Sequence, residues 1–343
     1  SEDVAEKLAV AGSVIRRGGL VAFPTETVYG LGGDALNPES SRKIYTAKGR
    51  PSDNPLIIHI ADIAALEPIV CGIPQTAKKL ADAFWPGPLT MVFRRAAIVP
   101  YQTTGGLDTV AVRMPNHPLA QLFIRNAGGY VAAPSANLSG KPSPTLAKYV
   151  VQDMNGRIDM IIDAEGVEIG LESTIVDVTG DIPMILRPGY ITQKMLSDVV
   201  GAVDMDVAVY DSSSTKAPKA PGMKYRHYAP KGELVIVEGE PQKVVRYINQ
   251  QAALHEADGK RTGIIGTEEM LPQYHAASVK NAGSKSDCAT IARQLYTFLR
   301  EFDDEDAAYI YAESFSETFA DEGFGQAVMN RLLKAAGHKV IRV

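Results

Sequence analysis

Between Asp211 and Gly222 the sequence reads Asp-Ser-Ser-Ser-Thr-Lys-Ala-Pro-Lys-Ala-Pro-Gly. The run holds no large apolar side chain, and its prolines remove backbone donors that a helix or sheet needs. It therefore divides the 343 residues into two stretches that must each bury a core of their own. The expected division is a first domain over 1–205, a linker over 206–231 and a second domain over 232–343.

The two stretches differ in rhythm. In the first, Val4, Leu8, Ala11 and Ile15 recur at helical spacing until Gly18-Gly19. Leu20 to Phe23 then reads as a short buried strand, followed by the polar, glycine-punctuated loop Pro24 to Gly32. Helices are expected over 38–47 (Asn37 as N-cap), 74–84, 117–126, 145–154 and 192–200. Strands are expected over 56–60, 89–93, 109–114, 130–133, 159–163, 173–178 and 183–187. Strands and helices do not strictly alternate, so the expectation is a twisted mixed α/β sheet. After the linker the order is strand 233–237, helix 241–254, strand 262–266, helix 287–301, strand 307–311 and helix 325–336. That alternation predicts a smaller, doubly wound, Rossmann-like α/β domain.

Several function classes are excluded at this point. Hydrophobic residues are 45% and charged residues 22%, which suits a globular chain and not a disordered one. No apolar run reaches the roughly 18 residues of a membrane span. The net charge is -5, split as 18 - 20 over residues 1–200 and 17 - 20 over 201–343, so neither stretch is basic enough to bind nucleic acid as a whole. Cys71 and Cys288 stand far apart, which argues against a disulfide framework or zinc site and for two buried thiols in a reducing cytoplasm. Neither a P-loop nor a dinucleotide-binding glycine fingerprint is present.

Some constellations could carry chemistry. Lys48 and Arg50 flank Gly49, with no acid between residues 41 and 50. A point cation beside a planar guanidinium suits a polyphosphate, although cations also complement a helix end. Ser135 and Asn137, two apart after a buried strand, present a hydroxyl and an amide to one side; turn chemistry explains them as well. The loop 24–32 offers Thr25 and Thr27, with Gly30 and Gly32 allowing close backbone approach. Glu172-Ser173-Thr174 enters one strand and Arg187 ends the next. Arg113 ends a strand where it could clamp a carboxylate, and His59 in an apolar strand reads as a satisfied core residue or a ligand.

PTETVYGLG at 24–32, Lys48-x-Arg50, GRPSDNPL at 49–56, Ser135-x-Asn137 and ESTIVD at 172–177 occur in this order. Together they resemble the YrdC-like domain family. The second domain, joined through Pro221-Gly222-Met223-Lys224-Tyr225-Arg226-His227-Tyr228-Ala229-Pro230, resembles the long two-domain form, the threonylcarbamoyl-AMP synthases. The resemblance implies a twisted YrdC-like catalytic domain with a Rossmann-like α/β addition. It implies conversion of L-threonine, bicarbonate and ATP to threonylcarbamoyl-AMP and pyrophosphate, by positioning and charge neutralisation without a covalent nucleophile. Lys48, Arg50, Ser135 and Asn137 become the catalytic tetrad, with Asn54, Thr109, Ser143, Arg187 and Tyr225 as further ATP contacts. Thr27, His59, Arg113, Ala133 and Ser173 become the threonine pocket, with Arg113 on the carboxylate. Mg2+ rides on ATP with no dedicated protein ligands. Tyr225, Arg226 and His227 read as a lid over the site. The product passes to a separate tRNA threonylcarbamoyl transferase complex in the cytoplasm, with no stable nucleic-acid or membrane contact by this chain. The competing readings are an RNA-binding or a nucleotide-binding regulatory protein of the same fold. A hydrogenase-maturation carbamoyl-adenylate enzyme would need cysteine-rich zinc motifs, which the sequence lacks.

Overall fold

In the computed structural model, which describes residues 2–209, 219–223, 227–315 and 323–343, short apolar runs become short strands. The first ten are Val21–Phe23 (β1), Gly30–Asp34 (β2), Ile57–His59 (β3), Leu89–Arg94 (β4), Thr109–Arg113 (β5), Val131–Ala133 (β6), Met160–Ile161 (β7), Thr174–Asp177 (β8), Met184–Arg187 (β9) and Asp204–Met205 (β10). They form one mixed sheet in the order β10-β9-β8-β4-β5-β3-β6-β2-β1-β7. Its helices are Glu2–Arg16 (α1), Pro38–Lys48 (α2), Gln75–Phe84 (α3), Tyr101–Thr104 (α4), Pro118–Asn126 (α5), Ala147–Met154 (α6) and Gln193–Val200 (α7).

Strand alternation sorts the side chains by face. Val21, Phe23, Val131 and Ala133 point to one face, where Leu8 and Ile15 of α1 and Phe123 of α5 pack on them. Ala22, Ala132 and Ile58 point to the other, into the larger core. Farther along the first face, over the middle of the sheet, Ile57, Val92, Ala111 and Ile175 form a small cluster with Leu186 and Ala220. Continuing two residues along three of these strands, the same face carries His59, Thr90 and Arg113 in place of apolar groups.

The expected loop 24–32 ends early, because Gly30–Asp34 is a strand paired antiparallel to β1 and β6. Its glycines serve packing. A Cβ on Gly32 would lie 2.8 Å from Val131 Cγ1 and 3.1 Å from the Phe23 ring. Cys288 is buried, but Cys71 is exposed, contrary to the expected two buried thiols.

The chain divides into two compact units, one of Ser1–Ser139, Ser143–Glu168 and Glu172–Tyr225, the other of Arg226–Val343 with Gly140–Pro142 and Ile169–Leu171. In the second unit Glu233–Glu238 (β11), Thr262–Gly266 (β12), Ser278–Asn281 (β13), Tyr309–Glu313 (β14) and Val340–Arg342 (β15) make a parallel sheet ordered β13-β12-β14-β11-β15. Pro241–Ala257 (α8) covers the face that carries Val235, Val237, Ile264 and Tyr311. Phe302 of Cys288–Asp304 (α9) lies over Gly263, on the opposite face. Helices on both faces of a parallel sheet are the doubly wound arrangement. Sequence periodicity missed β13 and β15, a partly polar strand and a very short one. No helix among the described residues is long and apolar enough to cross a membrane.

Candidate functional site

Two groups of buried polar side chains form in the first unit. The first begins at the end of α2. Asn37 caps its start by accepting from the Glu39 N–H, and Gly49 ends it in the left-handed region at φ 62°. That turn separates the predicted cations. Lys48, 2% exposed, points its ammonium at the carbonyls of Ser135 and Asn137 and donates to both. Arg50 donates from Nε to the Asn54 carbonyl at 3.2 Å and from Nη2 to the Pro55 carbonyl at 2.9 Å. Through these two backbone oxygens Lys48 is held against the Ser135–Asn137 loop. The Ser139 N–H closes the same connection by donating to the Lys48 carbonyl.

The second group lies on the sheet. The parallel register of β3 and β5 sets His59 opposite Arg113, and the antiparallel register of β4 and β5 sets Thr90 on its other side. Arg113 Nη1 donates to Thr27 Oγ1 at 2.9 Å, Nε donates to the Gly87 carbonyl at 3.3 Å, and Nη2 lies 2.6 Å from Glu26 Oε1. The Thr90 hydroxyl meets that of Ser173 at 2.7 Å. Arg187 donates to the Ser173 carbonyl and hydroxyl, and also to the Pro221 carbonyl of the described linker end. Thr27, His59, Arg113, Ser173 and Arg187 thus form one buried polar row. Ala133 lies buried beside it, with Ile57 opposite across β3 and β6.

The two groups are tied through the β1–β2 loop. Gly30 forms a bridge with Ser135, and the Ala136 N–H donates to the Tyr29 carbonyl. Thr25 shapes the loop, donating from Oγ1 to the Val28 carbonyl and receiving the Thr27 and Val28 N–H groups. Ser143, buried near the next turn, donates to Glu172. Thr109 opens β5, four residues before Arg113 and so about 13 Å away along the strand. Tyr225 lies outside the described residues. Sequence reasoning misses Glu26, whose only signal is its place inside PTETVYGLG, and singles out Glu172 only within the run Glu172-Ser173-Thr174, without a role of its own.

Burial sets the electrostatics. It pushes the His59 imidazole down to about 3, with the Arg113 charge acting in the same direction and the Ile57 and Val131 carbonyls opposing. The ring is therefore neutral at ordinary pH and a poor proton acceptor. In the unfolded chain it titrates near 6.5. Between that value and about 3 the unfolded chain binds a proton that the native state refuses. The contribution to stability is thus complete above pH 6.5 and shrinks as the pH falls through this window. The loss should approach about 1.4 kcal/mol per pH unit. Denaturant unfolding of wild type and His59→Gln at several pH values checks it: the variant should lose this part of the acid sensitivity, and identical pH dependence would show a freely titrating ring.

Chemically, the cations Lys48, Arg50, Arg113 and Arg187 are buried together with the carboxylates Glu26, Asp153 and Glu172, so positive groups outnumber negative ones. Such a site favours anions that arrive with several charges. Among the described residues, no three His, Cys, Asp or Glu side chains are grouped to hold a metal ion.

Comparison with known proteins places the chain. Residues 13–189 match the Sua5_yciO_yrdC family model, described as "Telomere recombination". Residues 191–337 match the model "Threonylcarbamoyl-AMP synthase, C-terminal domain". A threonylcarbamoyl-AMP synthase of Bacillus subtilis is 48% identical over 338 residues, covering 98% of this chain and 94% of that protein. One of Pyrococcus abyssi is also 48% identical, covering 98% of this chain and 96% of that protein. The crystal structure of P. abyssi Sua5 complexed with L-threonine superposes with a TM-score of 0.92 at 47% identity, over 99% of this chain and 96% of the other. The polar row on a twisted mixed sheet, the two matched models and the near full-length similarity agree: the chain belongs to the Sua5/YciO/YrdC family, in the form that carries the additional C-terminal domain.

Proposed function

We propose that this chain is an L-threonylcarbamoyladenylate synthase, a nucleotidyltransferase that makes threonylcarbamoyl-AMP and pyrophosphate from L-threonine, bicarbonate and ATP. The observation that carries the reading is the joining, through one loop, of a buried Arg113 row to a buried Lys48–Arg50 pair. The first suits an amino-acid carboxylate and hydroxyl; the second suits phosphates. Relatives 48% identical over nearly the whole chain bear the name of this activity.

In this reading Arg113 receives the threonine carboxylate, while Thr27, His59 and Ser173 line the remainder of the pocket beside the Ala133 backbone. The neutral His59 ring can hydrogen-bond the threonine hydroxyl without adding charge. The neutral amine attacks bicarbonate, water leaves as the carbamate forms, and the carbamate oxygen attacks the α-phosphorus of ATP. The bond to pyrophosphate breaks, and negative charge grows on the leaving phosphates. Lys48 and Arg50 stabilise that charge, with Ser135 and Asn137 shaping the loop that holds Lys48 and Asn54, Thr109, Ser143, Arg187 and Tyr225 contacting the nucleotide. Mg2+ arrives on the triphosphate. Residues 1–205 carry the chemistry, 206–231 connect and 232–343 form the added domain. The product is labile and is passed in the cytoplasm to a separate transferase complex acting on tRNA.

The test is pyrophosphate release by the full chain. Release should require ATP, threonine and bicarbonate together. Release indifferent to threonine and bicarbonate, or nucleotide binding without turnover, would favour a regulatory nucleotide-binding protein instead.

A further inference from the structure

Glu26 is 3% exposed, and its Oε1 lies 2.6 Å from Arg113 Nη2. The two groups face each other as charges, but the contact lacks hydrogen-bond geometry. Among the described residues, both Glu26 oxygens and Arg113 Nη2 are buried polar atoms without a hydrogen-bond partner. The remainder of the guanidinium is engaged, with Nη1 on Thr27 and Nε on the Gly87 carbonyl. A buried ion pair offsets its desolvation through good hydrogen bonds, so this pair keeps bonding capacity in reserve on both halves.

Ligand classes differ in how they use that reserve. A simple carboxylate would accept from Nη2 but set a second anion against Glu26. A simple amine would donate to Glu26 but set a second cation against Arg113. A zwitterion satisfies both halves and leaves the buried site with unchanged net charge. We propose that Glu26 binds the α-ammonium of the amino acid whose carboxylate Arg113 receives, and is therefore a specificity-determining residue for α-amino acids. The inference rests on the threonine pocket proposed above and deepens it. It also sets the substrate nitrogen, where the carbamate bond must form once the ammonium has lost a proton, next to the β1–β2 loop.

The test is calorimetric binding to the full chain of two ligands, L-threonine and 3-hydroxybutyrate, which keeps the carboxylate and hydroxyl but lacks the amine. Wild type should prefer threonine by about tenfold or more, the scale of a buried charged hydrogen bond. Glu26→Gln, neutral and of the same shape, should bring the preference to within about twofold while 3-hydroxybutyrate still binds. Glu26→Asp should restore part of it. A purely structural Glu26 would weaken both ligands alike and leave the ratio unchanged. The wild-type preference persisting in Glu26→Gln would overturn the proposal. If the Gln variant does not fold, the Asp variant decides: a reduced preference supports the assignment and an unchanged one overturns it. Wild type binding neither ligand is a separate result, which removes the threonine pocket and this proposal together.

Discussion

Lys48→Ala should lower pyrophosphate release by about a hundredfold, roughly 2.7 kcal/mol of transition-state stabilisation. Two losses combine. One is the buried positive charge that the proposed mechanism sets against the departing phosphates. The other is the tie between the end of α2 and the Ser135–Asn137 loop, since Lys48 donates to both of those carbonyls. Lys43 is the internal control. It lies on the same helix, but its ammonium caps the exposed Gly18 carbonyl. Lys43→Ala should leave the rate within about twofold, because an exposed contact of this kind is worth little. Rates measured under saturating ATP, threonine and bicarbonate compare the two. Near-wild-type turnover by Lys48→Ala would remove this cation from the mechanism.

Gly12→Ala should destabilise the first unit by roughly 2–3 kcal/mol. Helix propensity alone gives the opposite sign, since alanine in a helix interior gains about 1 kcal/mol over glycine. Contact decides the outcome. A Cβ at Gly12 would lie 2.5 Å from the carbonyl carbon and oxygen of Asn126 and 2.6 Å from its Cβ. Backbone cannot turn aside as a flexible side chain can, so α1 must lift from α5. That would loosen Leu8, Ile15 and Phe123 from the face of the sheet that β1 and β6 share. The denaturant midpoint for unfolding of the first unit should move to lower denaturant. A shift to higher denaturant would show that the two helices repack at no cost.

Much of this architecture could be read from residue order, and the exceptions have identifiable physical causes. Short apolar stretches such as 131–133 and the Ile175-Val176 centre of β8 announce strands because a mixed sheet buries them on both faces. Gly30–Asp34 does not, because its glycines carry no hydrophobic signal; they are there to admit the Phe23 ring and Val131. Asn37 and Gly49 mark the limits of α2 through capping chemistry that any sequence displays. Lys48 and Arg50 are conspicuous as clustered cations, but their partners are carbonyls of Ser135, Asn137, Asn54 and Pro55, which side-chain identity cannot reveal. The placing of His59 and Thr90 on either side of Arg113 depends on strand register, set by pairings of residues far apart in the chain. Glu26 was hidden for another reason. A carboxylate in a polar loop reads as solvated, and only burial against Arg113 makes it chemically distinctive.

If one site joins an amino acid to AMP through a carbamate, the product itself carries the proof. The most direct measurement is mass spectrometry of the products when the full chain is given ATP, bicarbonate and isotope-labelled L-threonine, read immediately because the mixed anhydride hydrolyses. The expected result is a species with the mass of threonylcarbamoyl-AMP that carries the threonine label, gains a further increment with labelled bicarbonate and appears together with pyrophosphate. AMP and pyrophosphate formed with neither label incorporated, under conditions that preserve an added threonylcarbamoyl-AMP standard, would contradict it.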